Sequence, residues 1–219
     1  MKEDLSVCKI DRSDALPWIK AKHYARRVPS ISFAFGLMRG QSLVGVVTYG
    51  TPPSHTLLKG VAGDERAGIV LELNRLTCEN SKNYASFLVG RSLRMLPKPS
   101  IVVSYADTGV GHVGYVYQAC NFIYTGLSAP WNDPVVSGLE HQHHATFAHG
   151  KTNDQMRAKY GDRLAFRRRT RKHRYIFIHA ERRERAKIMT ELRYECLPYP
   201  KGETTKHEVK DAEVQTFLF

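Results

Sequence analysis

The chain has 219 residues, a hydrophobic fraction of 42% and a formal net charge of +12 at pH 7. That composition excludes a disordered polyelectrolyte and suits one buried core with an appendage. No apolar run approaches the roughly 20 residues of a membrane-spanning helix. The start MKEDLSVCKIDRSD is charged and carries no apolar leader core, and Cys8, Cys78, Cys120 and Cys196 show no C-x-x-C spacing. No membrane partner, zinc motif or disulfide framework is expected, and a reducing cytoplasm fits best.

The charge is uneven. Residues 1–150 carry 15 Lys/Arg against 11 Asp/Glu, and residues 151–219 carry 18 against 10. The run RRRTRKHR at 167–174 concentrates Arg167, Arg168, Arg169, Arg171, Lys172 and Arg174. Such clustering favours a phosphate backbone as partner, because each neutralised phosphate releases a counterion. The plainer reading is a solvated basic segment.

In chain order, Ser13 predicts the start of a helix through Ala15, Leu16, Trp18, Ile19 and Ala21, ending near His23 and Tyr24. Residues 31–38 and 43–49 read as a hairpin around Gly40. GTPPSHT and residues 60–64 read as loops. IVLELNRL (69–76) reads as a central strand, CENSKNYAS as a polar turn, and 84–96 as a helix stopped by Pro97 and Pro99. A strand at 101–105, a helix at 112–119 and a strand at 122–126 follow, after which regularity fades through 128–150. A short helix at 153–160, a strand at 175–179 and a charged helix at 180–192 are expected, with a loosely ordered end from Pro198. This order predicts an α/β fold, a mixed sheet with helices on both faces. Residues 1–180 would form the main domain and 181–219 a C-terminal extension.

Chemistry concentrates in two places. The stretch VVSYADTGVGHVGYVYQACNFIYTG (102–126) puts Ser104, Tyr105, Asp107 and His112 at the end of a buried strand, with Tyr117 on the next helix. Asp107 suits a general base or a stabiliser of developing charge; it equally suits a helix cap. Tyr117 can donate a proton, stack on a base or pack in the core. The second place is the strand–turn–helix at 69–96, where Asn83 and Ser86 border a helix start that can hold an anion. Arg75 can reach the same anion or pair with Glu72. His23, ending its helix, and Asp107 are a possible pair of metal ligands of the kind used by non-haem iron. The HQHH run (141–144) is a second metal candidate, or an exposed loop.

The element order resembles the GNAT N-acyltransferase fold. More specifically, His23-Tyr24, LVGVVTYG (43–50), ELNRL (72–76), KNYAS (82–86), the 104–126 stretch and KHRYIF (172–177) resemble the Mom family of phage DNA-modification proteins. The resemblance covers about residues 20–180. It implies a phage enzyme in the host bacterial cytoplasm that acts on double-stranded DNA. That enzyme would convert adenine N6 to a carbamoylmethyl-type derivative and so protect phage DNA from restriction. It implies catalytic roles for Asp107, Tyr117, His23 and Tyr24, and donor contacts at Arg75, Asn83 and Ser86. The donor would be acetyl-CoA or a glycine-derived unit, and iron is associated with the family. One departure stands out: the turn CENSKNYAS lacks the glycines that usually cradle coenzyme A. Two other readings remain open on sequence. One is a coenzyme A-dependent N-acyltransferase acting on a small amine or protein, and the other a non-catalytic DNA-binding module. Oligomeric state is not legible.

Overall fold

The computed structural model describes residues 4–23, 28–142, 144–148 and 150–202. Its strands are β1 (Leu5–Lys9), β2 (Phe33–Arg39), β3 (Ser42–Gly50), β4 (Val70–Cys78), β5 (Ser100–Asp107), β6 (Ile123–Leu127), β7 (Asn132–Val136), β8 (Leu164–Arg168) and β9 (Lys172–His179). Its helices are α1 (Arg12–Lys22), α2 (His55–Ala62), α3 (Tyr84–Leu93), α4 (Tyr115–Ala119), α5 (His144–Ala148), α6 (Asn153–Tyr160) and α7 (Arg182–Glu191). Seven strands form one sheet in the order β1-β2-β3-β4-β5-β9-β6, and β7 pairs with β8 in a separate ribbon. Strands β1 to β4 run as an antiparallel meander, β4 and β5 are parallel, and β9 is antiparallel to both β5 and β6. The fold class expected from sequence is the one the chain adopts.

Both faces of the sheet are covered. On one face Leu88, Val89 and Leu93 of α3 are fully buried against Leu37, Val47, Tyr49 and Val102. Each such side chain contributes roughly 1.5–3 kcal/mol of burial. On the other face, Val61 of α2 and Ile188 of α7 meet Ile101, Val103, Ile176 and Ile178, while Ala15 and Ile19 of α1 pack on Ala34 and Val46. The alternation of β5 and β9 supplies both faces at once, because successive side chains point to opposite sides.

Several elements differ from the sequence expectation. Residues 55–62, whose two ends (55–56 and 60–62) were expected as loop, form α2. Ser54 Oγ accepts from Leu57 N at 3.2 Å, and this cap sets a helix within a segment whose Pro and Ser content signals a turn. β1 was not predicted; it is a short edge strand with exposed alternate residues, a weak pattern. β9 begins at Lys172, before the apolar YIFIH, because its first side chains face the polar end of the sheet. The span 128–150, where no regular structure was expected, contains β7 and α5. With α6 and β8 they enclose a small core of Val136, Phe147 and Met156.

Helix α7 is bound to the sheet domain: Arg66 donates to Glu184 at 2.6 Å and to Glu191 at 2.7 Å. Beyond it the chain crosses β6. Leu197 N donates to Tyr124 O at 2.9 Å and Tyr199 Oη to Phe122 O at 2.7 Å. Residues 182–202 therefore pack on the main core. Of the end expected to be loosely ordered, residues 203–219 lie outside the described residues.

Candidate active site

The sheet opens where its parallel pair ends. The β4–β5 register runs from Val70↔Ile101 to Leu73↔Ser104, yet β4 continues to Cys78 and β5 to Asp107. A bulge lies at the parting point: Thr48 pairs with Arg75 and Tyr49 with Leu73, which leaves Asn74 as the extra residue. Such an insertion bends its strand and re-aims side chains. The bulge is fixed from both ends of the Asn74 amide, whose Oδ1 accepts from Thr48 Oγ1 at 2.7 Å and whose Nδ2 donates to Ser30 O at 2.8 Å. Ser104 Oγ donates to Leu73 O at 3.2 Å and ties the strands at their last paired residues.

The opening is a cleft of about 430 Å³. Its lining includes His23, Glu72, Asn74, Arg75, Tyr105, His112, Tyr115, Tyr117 and Lys172. Gly111 to Tyr117 close one side. Gly114 has φ +90°, and a Cβ there would lie 2.4 Å from Tyr175, so this N-cap of α4 tolerates no side chain. Tyr175 Oη in turn donates to Val113 O, holding that wall on β9.

Glu72 is the half-buried acid of the cleft. Desolvation raises its pKa, and the opposing attractions of Arg75 and Lys172 do not offset it. His23, at the end of α1, is buried; desolvation, followed by the charges of Arg75 and His112, lowers its pKa to about 4. It is therefore a neutral imidazole at neutral pH. Burial also raises the Tyr105 phenol. The site thus holds a carboxyl with raised pKa, a neutral imidazole, three cations (Lys22, Arg75 and Lys172) and several phenols. A carboxyl tuned upward within reach of a neutral substrate is suited to taking a proton.

The residues anticipated from sequence fall into groups. His23, Arg75 and Tyr117 line the cleft. Tyr117 packs between Phe122 and Tyr175, with ring centroids 5.4 and 5.3 Å away. Tyr24 lies outside the described residues. Asp107 sits at the corner beside the cleft and outside its lining. Its Oδ1 accepts from Gly109 N at 2.9 Å and Thr170 Oγ1 at 2.8 Å, and its Oδ2 lies 3.4 Å from Lys172 Nζ. Burial of the carboxyl works to raise its pKa, but these donors outweigh it and the net shift is downward. Asn83 opens α3 in the left-handed conformation at φ +65°, which explains how the turn manages without glycine: asparagine tolerates that region. Ser86 Oγ donates to Asn83 O at 3.1 Å. The start of α3, with Lys82, Asn83 and Ser86, has the dipole and polar groups to receive an anionic part of a donor.

The basic run does not form a free arm. Arg167 and Arg168 end β8 and are exposed. Arg169 forms a two-pronged pair with Asp133 at 2.5 and 2.8 Å. Arg171 donates to Ser128 O at 2.6 Å. Lys172 reaches the cleft. Arg174 stacks on Tyr194 at 3.4 Å and donates to Thr125. For the metal expectation, the groups acting on His23 are Arg75 and His112, and Asp107 answers to Lys172. No group of three or more His, Cys, Asp or Glu side chains able to hold a metal is found among the described residues, and His141 is exposed.

Glu72 was the residue that sequence reading undervalued. It appeared only as an ion-pair partner for Arg75. The signal was present: an acid set between Leu71 and Leu73 in a central strand must have a partner or a use.

A mixed sheet with helices on both faces opens beside its parallel pair. Among solved structures, the chain is similar to the ribosomal-protein-S18-alanine N-acetyltransferase from Escherichia coli (TM-score 0.44, 7% identity, 80% of this chain and 94% of that one). It is also similar to a Bacillus subtilis acetyltransferase in complex with CoA (TM-score 0.41, 11% identity, 80% and 99%). Residues 4–201 match the Mom protein family, and the chain belongs to it. A curated relative, the methylcarbamoylase mom of Escherichia phage Mu, is 33% identical over 115 residues, 49% of this chain and 48% of that protein. The match thus spans about half the length of that relative. Among the described residues no helix is long and apolar enough to cross a membrane.

Proposed function

We propose that the protein is a transferase that modifies adenine N6 in double-stranded DNA, giving a carbamoylmethyl-type derivative. Membership of the Mom family and the partial match to a methylcarbamoylase support the reaction class. The observation that carries the reading to this chain is the cleft itself, with the half-buried Glu72 under the charges of Arg75 and Lys172.

The N6 amine is a weak nucleophile because its lone pair is delocalised into the ring, so a base must take its proton as the new N6–carbon bond forms. Glu72 fills that role: desolvation gives its carboxylate the basicity to accept the proton. Arg75 and Lys172 flank it and stabilise negative charge that develops on the donor. His23, kept neutral, can accept or donate a hydrogen bond without competing for the site's anion. Tyr117 and Tyr105 supply aromatic walls of the type that hold an extruded base. Asp107 acts as a positioning residue, fixing Lys172, Thr170 and the turn at Gly109. Because the product carries a methylene on N6, the donor for this reaction is a glycine-derived unit whose methylene bears a leaving group; that group departs with the bonding electrons as N6 attacks and Glu72 takes the proton, and its anionic part sits at the start of α3. Acetyl-CoA would instead lose its thiol and give an N6-acyl amide. In a phage, the modified adenine would shield DNA from host restriction, with the protein acting in the host cytoplasm.

Mass spectrometry of nucleosides from DNA of bacteria expressing the protein, with the phage background supplied, tests this. A deoxyadenosine heavier by the carbamoylmethyl unit is expected. DNA carrying unmodified deoxyadenosine in the presence of folded protein would refute the proposal.

A further inference from the structure

The ribbon of β7 and β8 is inserted between two neighbours of the main sheet, β6 and β9. Its small core is separate from the sheet's cores, so it presents a surface that the catalytic fold does not need. Trp131, just before β7 and opposite Arg169, is 58% exposed, and Phe166, Arg167 and Arg168 of β8 are exposed too; by the ribbon register Arg167 shares the face of the Trp131–Arg169 pair, and Phe166 and Arg168 lie on the other. A tryptophan so exposed is unusual on a surface whose other large apolar side chains are mostly covered.

Trp131 is held at the cleft end of the ribbon. Arg169 N donates to Trp131 O at 2.8 Å, and Arg169 is locked by Asp133. From Arg169 the chain runs to Thr170, bonded to Asp107, and then to Lys172, which lines the cleft. Ser128, three residues before Trp131, exchanges hydrogen bonds with Lys172: Ser128 N donates to Lys172 O at 2.8 Å and Lys172 N to Ser128 Oγ at 2.9 Å. Three extended residues span at most about 10 Å. The backbone of Trp131 is thus anchored on both sides, within about 10 Å of Ser128, which is bonded to the cleft residue Lys172.

We infer that Trp131 is a wedge that enters the duplex when the target adenine leaves it, with Arg167 and Arg168 on the flanking phosphates. An enzyme that works on a base inside a cleft must take that base out of the stack, and the stack it leaves collapses or refills. A rigid aromatic beside cations is the chemistry that refills it: the ring stacks on the neighbouring bases and the guanidinium groups hold the backbone. The inference rests on duplex DNA being the substrate, and duplex DNA is the occupant that the paired features select. Phosphate contact alone would need only the arginines.

The test uses the full chain with Trp18→Phe, which leaves Trp131 as its sole tryptophan. Binding of a labelled duplex is followed by anisotropy, insertion by quenching of Trp131 fluorescence, and turnover by nucleoside mass spectrometry. Stacking predicts quenching on binding. Trp131→Ala is then compared on two substrates, a paired adenine and the same adenine opposite an abasic site, where extrusion is already cheap. Turnover should fall by about tenfold or more on the paired adenine and be largely restored on the unpaired one, since the wedge lowers the cost of unpairing. Equal loss on both substrates, no loss on either, or duplex binding without quenching would overturn the wedge while leaving the DNA reading intact. Failure of the wild-type chain to bind duplex would overturn both. Duplex binding and quenching without modification would support insertion and sink the proposed reaction alone.

Discussion

Thr170 Oγ1 donates to Asp107 Oδ1 at 2.8 Å, and this bond joins the exit of the basic ribbon to the corner of the cleft. The same oxygen accepts from Gly109 N, and the second carboxylate oxygen faces Lys172. The carboxylate is thus engaged on both oxygens by groups of the protein. Together with the bonds from Thr108 N and Oγ1 to Arg171 O, it fixes the turn at Gly109 to the segment from Thr170 to Lys172.

A positioning role for Asp107 separates it from a direct chemical one. Asp107→Asn keeps an oxygen able to accept from Gly109 and Thr170, and Thr170→Val removes one donor. Both should fold, each losing about 1 kcal/mol in denaturant unfolding. Modification kinetics should show partial losses of similar size in the two variants. Abolished turnover in Asp107→Asn with full turnover in Thr170→Val would assign the carboxylate a direct part in the reaction.

Glu72 offers a prediction in which stability and activity move in opposite directions. Its folded pKa is raised above the ordinary value. The folded state therefore holds the proton more tightly than the unfolded chain, and stability declines as pH rises from the unfolded pKa to the folded one. At neutral pH the ionised, desolvated group is a net burden. Glu72→Gln should raise the melting temperature at pH 7 by a degree or more and abolish modification, because an amide cannot take the N6 proton. A variant that is both less stable and fully active would show that Glu72 is a structural ion-pair partner.

The contrast between Asp107 and Glu72 shows what was legible in the sequence. Strands β2 to β6 and helices α1, α3 and α7 declare themselves by apolar period and by their stops, and the polar corner at 104–117 is visible as a cluster. The bulge at Asn74 is not: it is a non-local register between β3 and β4, and it decides that Glu72 and Arg75 both face the opening. The basic run misleads for a related reason. Its six cations are close in sequence, yet a ribbon end, a turn and a sheet strand divide them between solvent, Asp133, the Ser128 carbonyl, the cleft and Tyr194. Asn83 hides a glycine's role behind a different residue.

That division gives a graded expectation for DNA binding. Arg167 and Arg168 are exposed and should contact phosphates directly. Their joint replacement by Ala should weaken duplex affinity at low salt and reduce the slope of log K against log salt by up to about 1.8, at about 0.9 per phosphate lost. Arg174→Ala removes a cation already stacked on Tyr194 and bonded to Thr125, so it should leave the slope unchanged while lowering thermal stability. Fluorescence anisotropy across a salt series measures both. An unchanged slope in the double variant would move the phosphate contacts elsewhere on the surface.

His23 gives the pH dependence its sign on the acid side. Its folded pKa is lowered from 6.5 to about 4 by burial first and then by Arg75 and His112. Above pH 6.5 it is neutral in both states and contributes no slope. Between about 6.5 and 4 the unfolded chain takes up a proton that the folded chain refuses, so stability falls as pH falls, by at most about 1.4 kcal/mol per unit. Below about 4 both states are protonated and the contribution is constant. Glu72 acts with the opposite slope over part of the same range, so the two are separated by difference: the stability of wild type minus that of His23→Gln, from chemical denaturation at pH 7, 6, 5 and 4. The difference should shrink toward acid, with a total change of up to about 3 kcal/mol. A difference independent of pH would mean that the imidazole keeps an ordinary pKa, and the neutral hydrogen-bonding role assigned to it in the cleft would fall with it.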